Sequence, residues 1–434
     1  HAELAMLGIN MMNITLTFGL MECSSHVYAV YGVVLAANGD LKEGYRFGRM
    51  ALELVGRTEE ASEYIARTYM FVFGFLNHLK RPFHQSLGAL MDAHKTGLES
   101  GDTEYGLLAS TAYVGTYIVC GLTLQPIHAD IVGFQSASGS YSQYACNTLL
   151  GVYRDLVEGL MGLKGDPCDI RVPQNANNMA IRYAMFAKMM TAYLFHKLDL
   201  AQVHSEKLDK MSKESFTNPE FTVVIMYQCL ISIAQMGRTG KSKYRTQADK
   251  YIKVLEEASS IGNMNAHHSL CMCNAERATI SKKKSRDQVK GAYDLAILTA
   301  TKTGFIQTAA LASERAGVYF LSIRELDYGE HYLRKALEGY AEWGALAKAE
   351  KMREKYPFLR GLDVSNDTAR SYFGRQRFTP QFFERHQDMK HANVARNSED
   401  GSHDGQPAQN LRDKGNIVRS LFSRGNTKAL DDIE

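Results

Sequence analysis

The chain has 434 residues, 45% of them hydrophobic, which is enough for two or three domains or for one extended repeat array with a sizeable core. Lys and Arg number 50 against 47 Asp and Glu, and a net charge of +3 gives no electrostatic case for a nucleic-acid or anionic-membrane partner. The cysteines Cys23, Cys120, Cys146, Cys168, Cys229, Cys271 and Cys273 are odd in number and scattered through apolar stretches, so they read as reduced thiols of a cytoplasmic protein and not as a secreted disulfide framework.

The first residue is His1 and not Met, so a missing upstream part is expected, and catalytic domains are expected there if anywhere. Leu4 to Met21 is the stretch nearest in character to a membrane span, but Asn10, Asn13, Thr15 and Thr17 interrupt it and no basic cluster flanks it; a buried repeat helix is expected. From about residue 20 to 355 amphipathic segments follow one another, each closed by Gly, Asp, Asn or Pro. The spacing predicts helices over His26–Ala37, Leu41–Val55, Glu60–Leu79, stopped by Pro82, and His84–Leu98. Asn38-Gly39-Asp40 and Ser100-Gly101-Asp102 are stops and starts together, since Gly takes the positive φ after a helix and Asp can cap the next. Alternating-strand runs bounded by hairpin turns are absent, which argues against a sheet.

Internal similarity points to tetratricopeptide-like helix pairs, in which small residues at fixed positions let two helices approach. Gly32, Gly44 and Ala51 share their spacing, 12 and then 7, with Gly74, Ser86 and Ala93 and with Gly317, Gly329 and Ala336. A second echo joins Glu276-Arg277-Ala278 to Glu314-Arg315-Ala316, and Ala296 with Gly304 to Ala336 with Gly344. Units of about 40 residues suit an all-α, tetratricopeptide-like α-solenoid of antiparallel helix pairs over residues 1–360. From Gly361 to Glu434 there are 11 basic and 11 acidic residues and few aliphatics, so a mostly disordered tail is expected over 361–434. Phe373, Phe378, Phe382 and Phe383 are compatible with a short docking helix or with random scatter there.

Motifs with chemical meaning are weak. Gly237-Arg238-Thr239-Gly240-Lys241-Ser242 ends like a phosphate-binding loop, but the leading glycine is replaced by Gln235 and no strand precedes it, so an inter-helix turn is expected. His267, His268, Cys271 and Cys273 have ligand chemistry without ligand spacing; on a helix His267 and Cys271 share a face and Cys273 points elsewhere. Trp343, the lone tryptophan, is expected to be core or cap packing, and Lys282 to Arg286 a solvated loop. His78, His84, His94 and His128 lie on different segments with no carboxylate or Ser at a useful interval. No catalytic, cofactor-binding or metal residue is expected, no cofactor is implied, and the partner is another protein or a linked ATPase or kinase domain.

The segments Tyr31-Gly32, Gly44 to Leu52, Glu99 to Tyr105 and Tyr340 to Lys348 carry a resemblance, with Glu314 to Leu321 before the last and Tyr356-Pro357 after it. Together they resemble the helical region of multidomain signalling proteins that couple a serine/threonine kinase and an AAA-type ATPase to a sensor histidine kinase. The resemblance covers residues 20 to 360 and implies a non-catalytic regulatory or protein-interaction scaffold. It carries over no catalytic residue, because the catalytic domains of such proteins lie outside the matched part.

Overall fold

A computed structural model describes residues 2–55, 63–174, 176–211, 217–281 and 283–362. Among them are seventeen α-helices and no strand. In chain order these are α1 (Ala2–Phe18), α2 (Ser24–Ala37), α3 (Leu41–Val55), α4 (Ile65–Phe71), α5 (Leu87–Glu99) and α6 (Thr103–Cys120). Then come α7 (Leu124–Ser140), α8 (Tyr144–Met161), α9 (Asn178–Leu194), α10 (Leu198–Met211), α11 (Phe221–Thr239) and α12 (Ser242–Ser260). The series ends with α13 (His267–Thr279), α14 (Arg286–Lys302), α15 (Ile306–Ser322), α16 (Leu326–Trp343) and α17 (Leu346–Lys355). The expected tail lies outside the described residues except for Gly361 and Leu362, and Phe373, Phe378, Phe382 and Phe383 lie outside them too.

The described residues fall into two units, 2–12 with 21–362, and 13–20. The second is the end of α1, where Thr17 Oγ1 donates to the Asn13 carbonyl and Gly19 closes the helix at φ +95. In the first unit, neighbouring helices pair as antiparallel hairpins: α2 with α3, α5 with α6, α7 with α8, α9 with α10, α11 with α12, α13 with α14 and α15 with α16. This is the expected all-α solenoid of helix pairs. Helices apolar on one stripe alternate with helices apolar all round, and that difference sorts them into two layers. The sided helices α3, α5, α7, α10, α12, α14 and α16 lie outside, whereas α2, α4, α6, α8, α9, α11, α13 and α15 form an inner layer. Each inner helix touches the next, and α17 turns back onto α8. The alternation slips once, where α8 and α9 are consecutive inner helices joined by an irregular segment.

The inner layer is packed against itself across long sequence distances. Asn265, at the start of α13, is buried and holds the chain around Pro82: its amide donates to the carbonyls of His78 and Arg81 at 2.9 Å, and its oxygen accepts from the Phe83 N–H at 3.1 Å. Gln307 on α15 donates to the Val119 carbonyl of α6 at 3.0 Å, and the Phe83 and Phe305 rings meet edge-on. By length and composition α11 alone among the described helices is apolar enough to cross a membrane, but 72% of that span is buried inside the fold. The first helix departs from expectation: Gly8 and Met12 seat it, while Met6 and Leu7 remain exposed, so it is not a buried repeat helix.

Two of the three small-residue triplets make the close approach they signal. A Cβ on Gly44 would lie 2.7 Å from the Gly32 carbonyl oxygen, and one on Gly317 2.6 Å from Leu333 and 3.0 Å from the Gly329 carbonyl oxygen. The Gly74, Ser86, Ala93 triplet does not. Between α4 and Pro82 the helix widens into a π turn over Val72–Leu76 and tightens into a 3₁₀ turn over Asn77–Leu79, so the predicted helix to Leu79 changes register. Gly74 consequently faces Ala112 on α6, with room for a methyl at 3.5 Å. The tight approach in this region belongs to Gly97 and Gly106, where α5 and α6 cross with a would-be Cβ 2.7 Å from backbone. Capping follows the same division. Asp40 caps α3 through the Glu43 N–H, whereas the Asp102 side chain is drawn off to Arg67 at 2.7 Å.

Gly44→Ala and Gly97→Ala are expected to lose about 1–3 kcal/mol each in urea unfolding, the ordinary cost of overpacking. Gly74→Ala, which meets only ordinary van der Waals contact, is expected to fall within about 0.5 kcal/mol of the parent or above it. Equal losses at all three positions would refute the division of roles.

Candidate functional site

Charged side chains are scarce in the inner layer, and the three most deeply buried, Glu276, Glu314 and Lys348, are each 1% exposed. They belong to one chain of contacts running through successive hairpins. Glu276 on α13 accepts from Tyr293 Oη of α14 at 2.7 Å and from Arg315 of α15 through two nitrogens, at 2.8 and 3.1 Å. One hairpin later, Glu314 on α15 accepts from Tyr340 Oη of α16 at 2.7 Å and from Lys348 Nζ of α17 at 2.6 Å. The motif is therefore a buried Glu on a first helix, a Tyr from its hairpin partner and a cation from the following hairpin. This is what the repeated Glu-Arg-Ala encodes.

The second cluster also reaches backwards. Lys348 Nζ donates to the carbonyl of Leu194, the last residue of α9 and 154 positions away, so a buried cation caps the negative end of an inner helix. His196 completes the site, with Nε2 at 3.1 Å from Glu314 Oε1 and 3.5 Å from Lys348 Nζ. Its backbone is left-handed at φ +59, where glycine is the usual occupant, and the turn is closed by Lys197 N–H donating to the Ala192 carbonyl at 2.7 Å. The imidazole is the only part of this cluster with substantial exposure, 38%.

The electrostatics follow from this geometry. Burial alone would raise the Glu314 carboxyl, but Lys348 and His196 hold it well below the usual carboxylate range. Burial lowers the Lys348 ammonium, against the pull of Glu314. For His196 the bond to Glu314 works upward, yet burial and the Lys348 charge outweigh it and the net shift is down. Burial raises the Tyr340 and Tyr293 hydroxyls far above their usual value, each helped by its Glu. Lone pairs and donors at both carboxylates are engaged by the protein itself, so the arrangement locks helices together.

The residues singled out in the sequence are dispersed. Gly237 lies inside α11, Gly240 ends it at φ +68 and Ser242 opens α12, so the phosphate-loop-like string is the inter-helix turn expected. His267 Nε2 stands 3.9 Å from Cys271 Sγ on a shared face while Cys273 Sγ points to the Met226 carbonyl, and no group of three possible metal ligands occurs among the described residues. Trp343 ends α16 fully buried and lines, with Gln307, Val119 and Phe186, an enclosed cavity of about 10 Å³, room for one water. Within the basic run Ser285 caps α14 and Arg286 pairs with Glu325 at 2.6 Å; Lys282 lies outside the described residues. Of the four histidines, His94 binds the Gly106 carbonyl at 2.9 Å, His84 is half-buried and His78 is buried beside Phe83. His128 does meet a carboxylate, Glu158 at 3.2 Å, which sequence spacing hid because it comes from the partner helix.

The chain matches no protein-family model and no curated protein.

Breaking a buried pair by removing one partner costs about 3–5 kcal/mol, so Lys348→Met is expected to lose that much in urea unfolding. Adding Glu314→Gln removes the stranded charge, and the double variant is expected to be more stable than the sum of the two single losses by at least about 1 kcal/mol. Strict additivity would show that the pair is not coupled.

A second outcome concerns pH. His268 is wholly buried, stacked on Phe305 at 3.6 Å, and burial lowers its pKa from 6.5 to about 3; His26 is lowered to about 4 by burial and by Arg67. Both stay neutral in the fold while the unfolded chain takes up protons below 6.5, so stability is lost as pH falls from 6.5 towards those values. The loss between pH 6.5 and 5 is about 1.6 kcal/mol for each histidine, since the unfolded imidazole is already half protonated at 6.5. Glu314, whose pKa is depressed, adds its own loss only below its ordinary 4.5. His268→Leu is expected to flatten the pH 6.5–5 slope by that same amount; an unchanged slope would be evidence against the neutral buried histidine.

Proposed function

We propose that the chain is a non-catalytic regulatory or protein-interaction scaffold from a cytoplasmic signal-transduction protein. The observation that carries this reading is the two-layer array itself: inner helices seal against one another, and the sided helices α3, α5, α7, α10, α12, α14 and α16 offer their polar faces outward. Solenoids of this kind recognise partners through side chains drawn from several units at once, on a framework that does not have to move. The Glu276 and Glu314 clusters supply stiffness at the end of the array by tying α13 to α17 together. The resemblance to the helical region of kinase, AAA ATPase and histidine-kinase proteins supports a linked ATPase or kinase domain as the thing regulated.

A second reading makes this segment part of a larger ATP-dependent kinase or ATPase whose catalytic domains lie upstream of residue 1. Sequencing the transcript upstream of His1 distinguishes the two. An in-frame kinase and AAA module is the outcome expected from the resemblance. A start codon just ahead of His1 would remove the linked enzyme and leave a free-standing scaffold, and an unrelated upstream enzyme would overturn the signalling assignment.

A further inference from the structure

An exposed serine stands directly behind two lysines in the turn that joins α13 to α14. Helix α13 ends at Thr279 and α14 begins at Arg286, and Lys283, Lys284 and Ser285 lie between them, all three exposed. Neither lysine forms an ion pair among the described residues, and the two acids bonded at this turn both go to Arg286, Glu325 at 2.6 Å and Asp287 at 3.1 Å. Ser285 Oγ accepts the Gln288 N–H at 3.3 Å as the cap of α14, a use that engages a lone pair and not the hydroxyl proton. Stability does not account for the pattern. Adjacent unpaired lysines repel each other, and the cap is served as well by a serine without them.

A protein kinase reads such a pattern. Its cleft takes the substrate as an extended segment and selects it by charge, so an acceptor needs an exposed hydroxyl, backbone outside a helix and basic residues just before it. Among the described serines and threonines Ser285 alone has all three. Thr246, after Lys243 and Arg245, lies inside α12 with its hydroxyl donating to the Ser242 carbonyl at 3.5 Å.

We propose that Ser285 is the phosphate-acceptor site for a basophilic serine kinase, and that the phosphate draws Arg286 away from Glu325. Ser285 Oγ attacks the γ-phosphorus of ATP: the new O–P bond forms as the bond to the bridging β–γ oxygen breaks, ADP leaves, and the hydroxyl proton passes to the kinase's catalytic carboxylate. The product carries a charge of about −2 at neutral pH, one residue from Arg286. A guanidinium can hold phosphate through two parallel bonds, whereas the Arg286–Glu325 pair is a partly exposed surface contact. That pair connects the start of α14 to the α15–α16 turn, so the modification unties one hairpin from the next on the outer side. The inference does not depend on the scaffold reading.

The test incubates the full chain with Mg²⁺, ATP and the catalytic domain of protein kinase C, and separately with an acidophilic casein kinase, and locates the phosphate by mass spectrometry. Ser285 is expected to be modified by the first enzyme and not by the second. In Lys283→Gln with Lys284→Gln, at exposed positions where circular dichroism verifies the fold, the rate is expected to fall at least fivefold. Phosphate on residues 363–434 with none on Ser285, equal modification by both kinases, or an unchanged rate in the double variant overturns the site. The Arg286 contact is read by ³¹P nuclear magnetic resonance of the phosphorylated chain. The second pKa of the phosphate is expected to lie below its ordinary value of about 6 and to return towards it in Arg286→Gln. A phosphate that titrates at the ordinary value, or one that Arg286→Gln leaves unmoved, overturns the contact and leaves the acceptor site standing.

Discussion

Lys348 and Glu314 are a full charge pair in an interior where charge is scarce, and much of the surrounding geometry is constrained by them. A buried ammonium is tolerable only if a carboxylate and further acceptors surround it, and here those acceptors come from α15 and from the end of α9. The carboxylate in turn needs the Tyr340 hydroxyl from α16 and the His196 ring from the α9–α10 turn. Four pieces of chain, the end of α9 with its turn, α15, α16 and α17, must be in register for the pair to exist. A slip of any one of them leaves a bare charge inside, which is far worse than a missing van der Waals contact. The pair thus discriminates against misassembled arrays, even where a well-packed apolar substitute would be as stable.

The same logic orders the hairpins before it. Glu276 is to Tyr293 and Arg315 what Glu314 is to Tyr340 and Lys348, so α13 to α17 are connected by two copies of one device offset by one hairpin. An apolar helix face slides easily, because Leu and Ala contacts are non-directional. Directional bonds at fixed intervals stop the slide. In the region of α4 to α6, where the described residues show no such device, register is set instead by close backbone approach at Gly97 and Gly106 and by the Asn265 amide reaching over from the turn before α13. The π and 3₁₀ turns between α4 and Pro82 let the chain meet that amide.

The helix pairs were legible in the sequence because a 3.6-residue period, a Gly stop and an Asp start are local signals. The ends of α2 and α3 were accordingly foreseen to within two residues, and so was the close approach of Gly32 to Gly44 and of Gly317 to Gly329. The third triplet has the same spacing but not the same geometry, because the π turn over Val72–Leu76 rotates everything after it. The buried cluster was half legible. The recurrence of Glu-Arg-Ala is visible as an echo, but the telling fact is that Glu314 sits on the apolar side of a helix rich in alanine, where a lone carboxylate has no reason to be. Its partners Lys348 and His196 come from 34 and more than a hundred positions away, and no spacing rule connects them. His196 in particular carries no local mark, since its left-handed backbone is ordinarily a glycine signal.

The most specific piece of the resemblance, Trp343-Gly344-Ala345 with Lys348 and Tyr356-Pro357, lies around Glu314, which opens the Glu314 to Leu321 segment before it: Lys348 neutralises Glu314, Trp343 fills the space beside α15, Gly344 turns the chain at φ +90 so that Lys348 can enter, and Tyr340 just upstream bonds to the carboxylate. Tyr356 is buried near the same carboxylate, with its hydroxyl pushed up to about 12 by burial and by Glu314. A string of residues required jointly to bury one charge pair is constrained by packing, whatever the protein does. Likeness in these segments therefore carries neither an activity nor a partner with it. A partner is read by the outward faces of the sided helices, which the lock leaves free to vary.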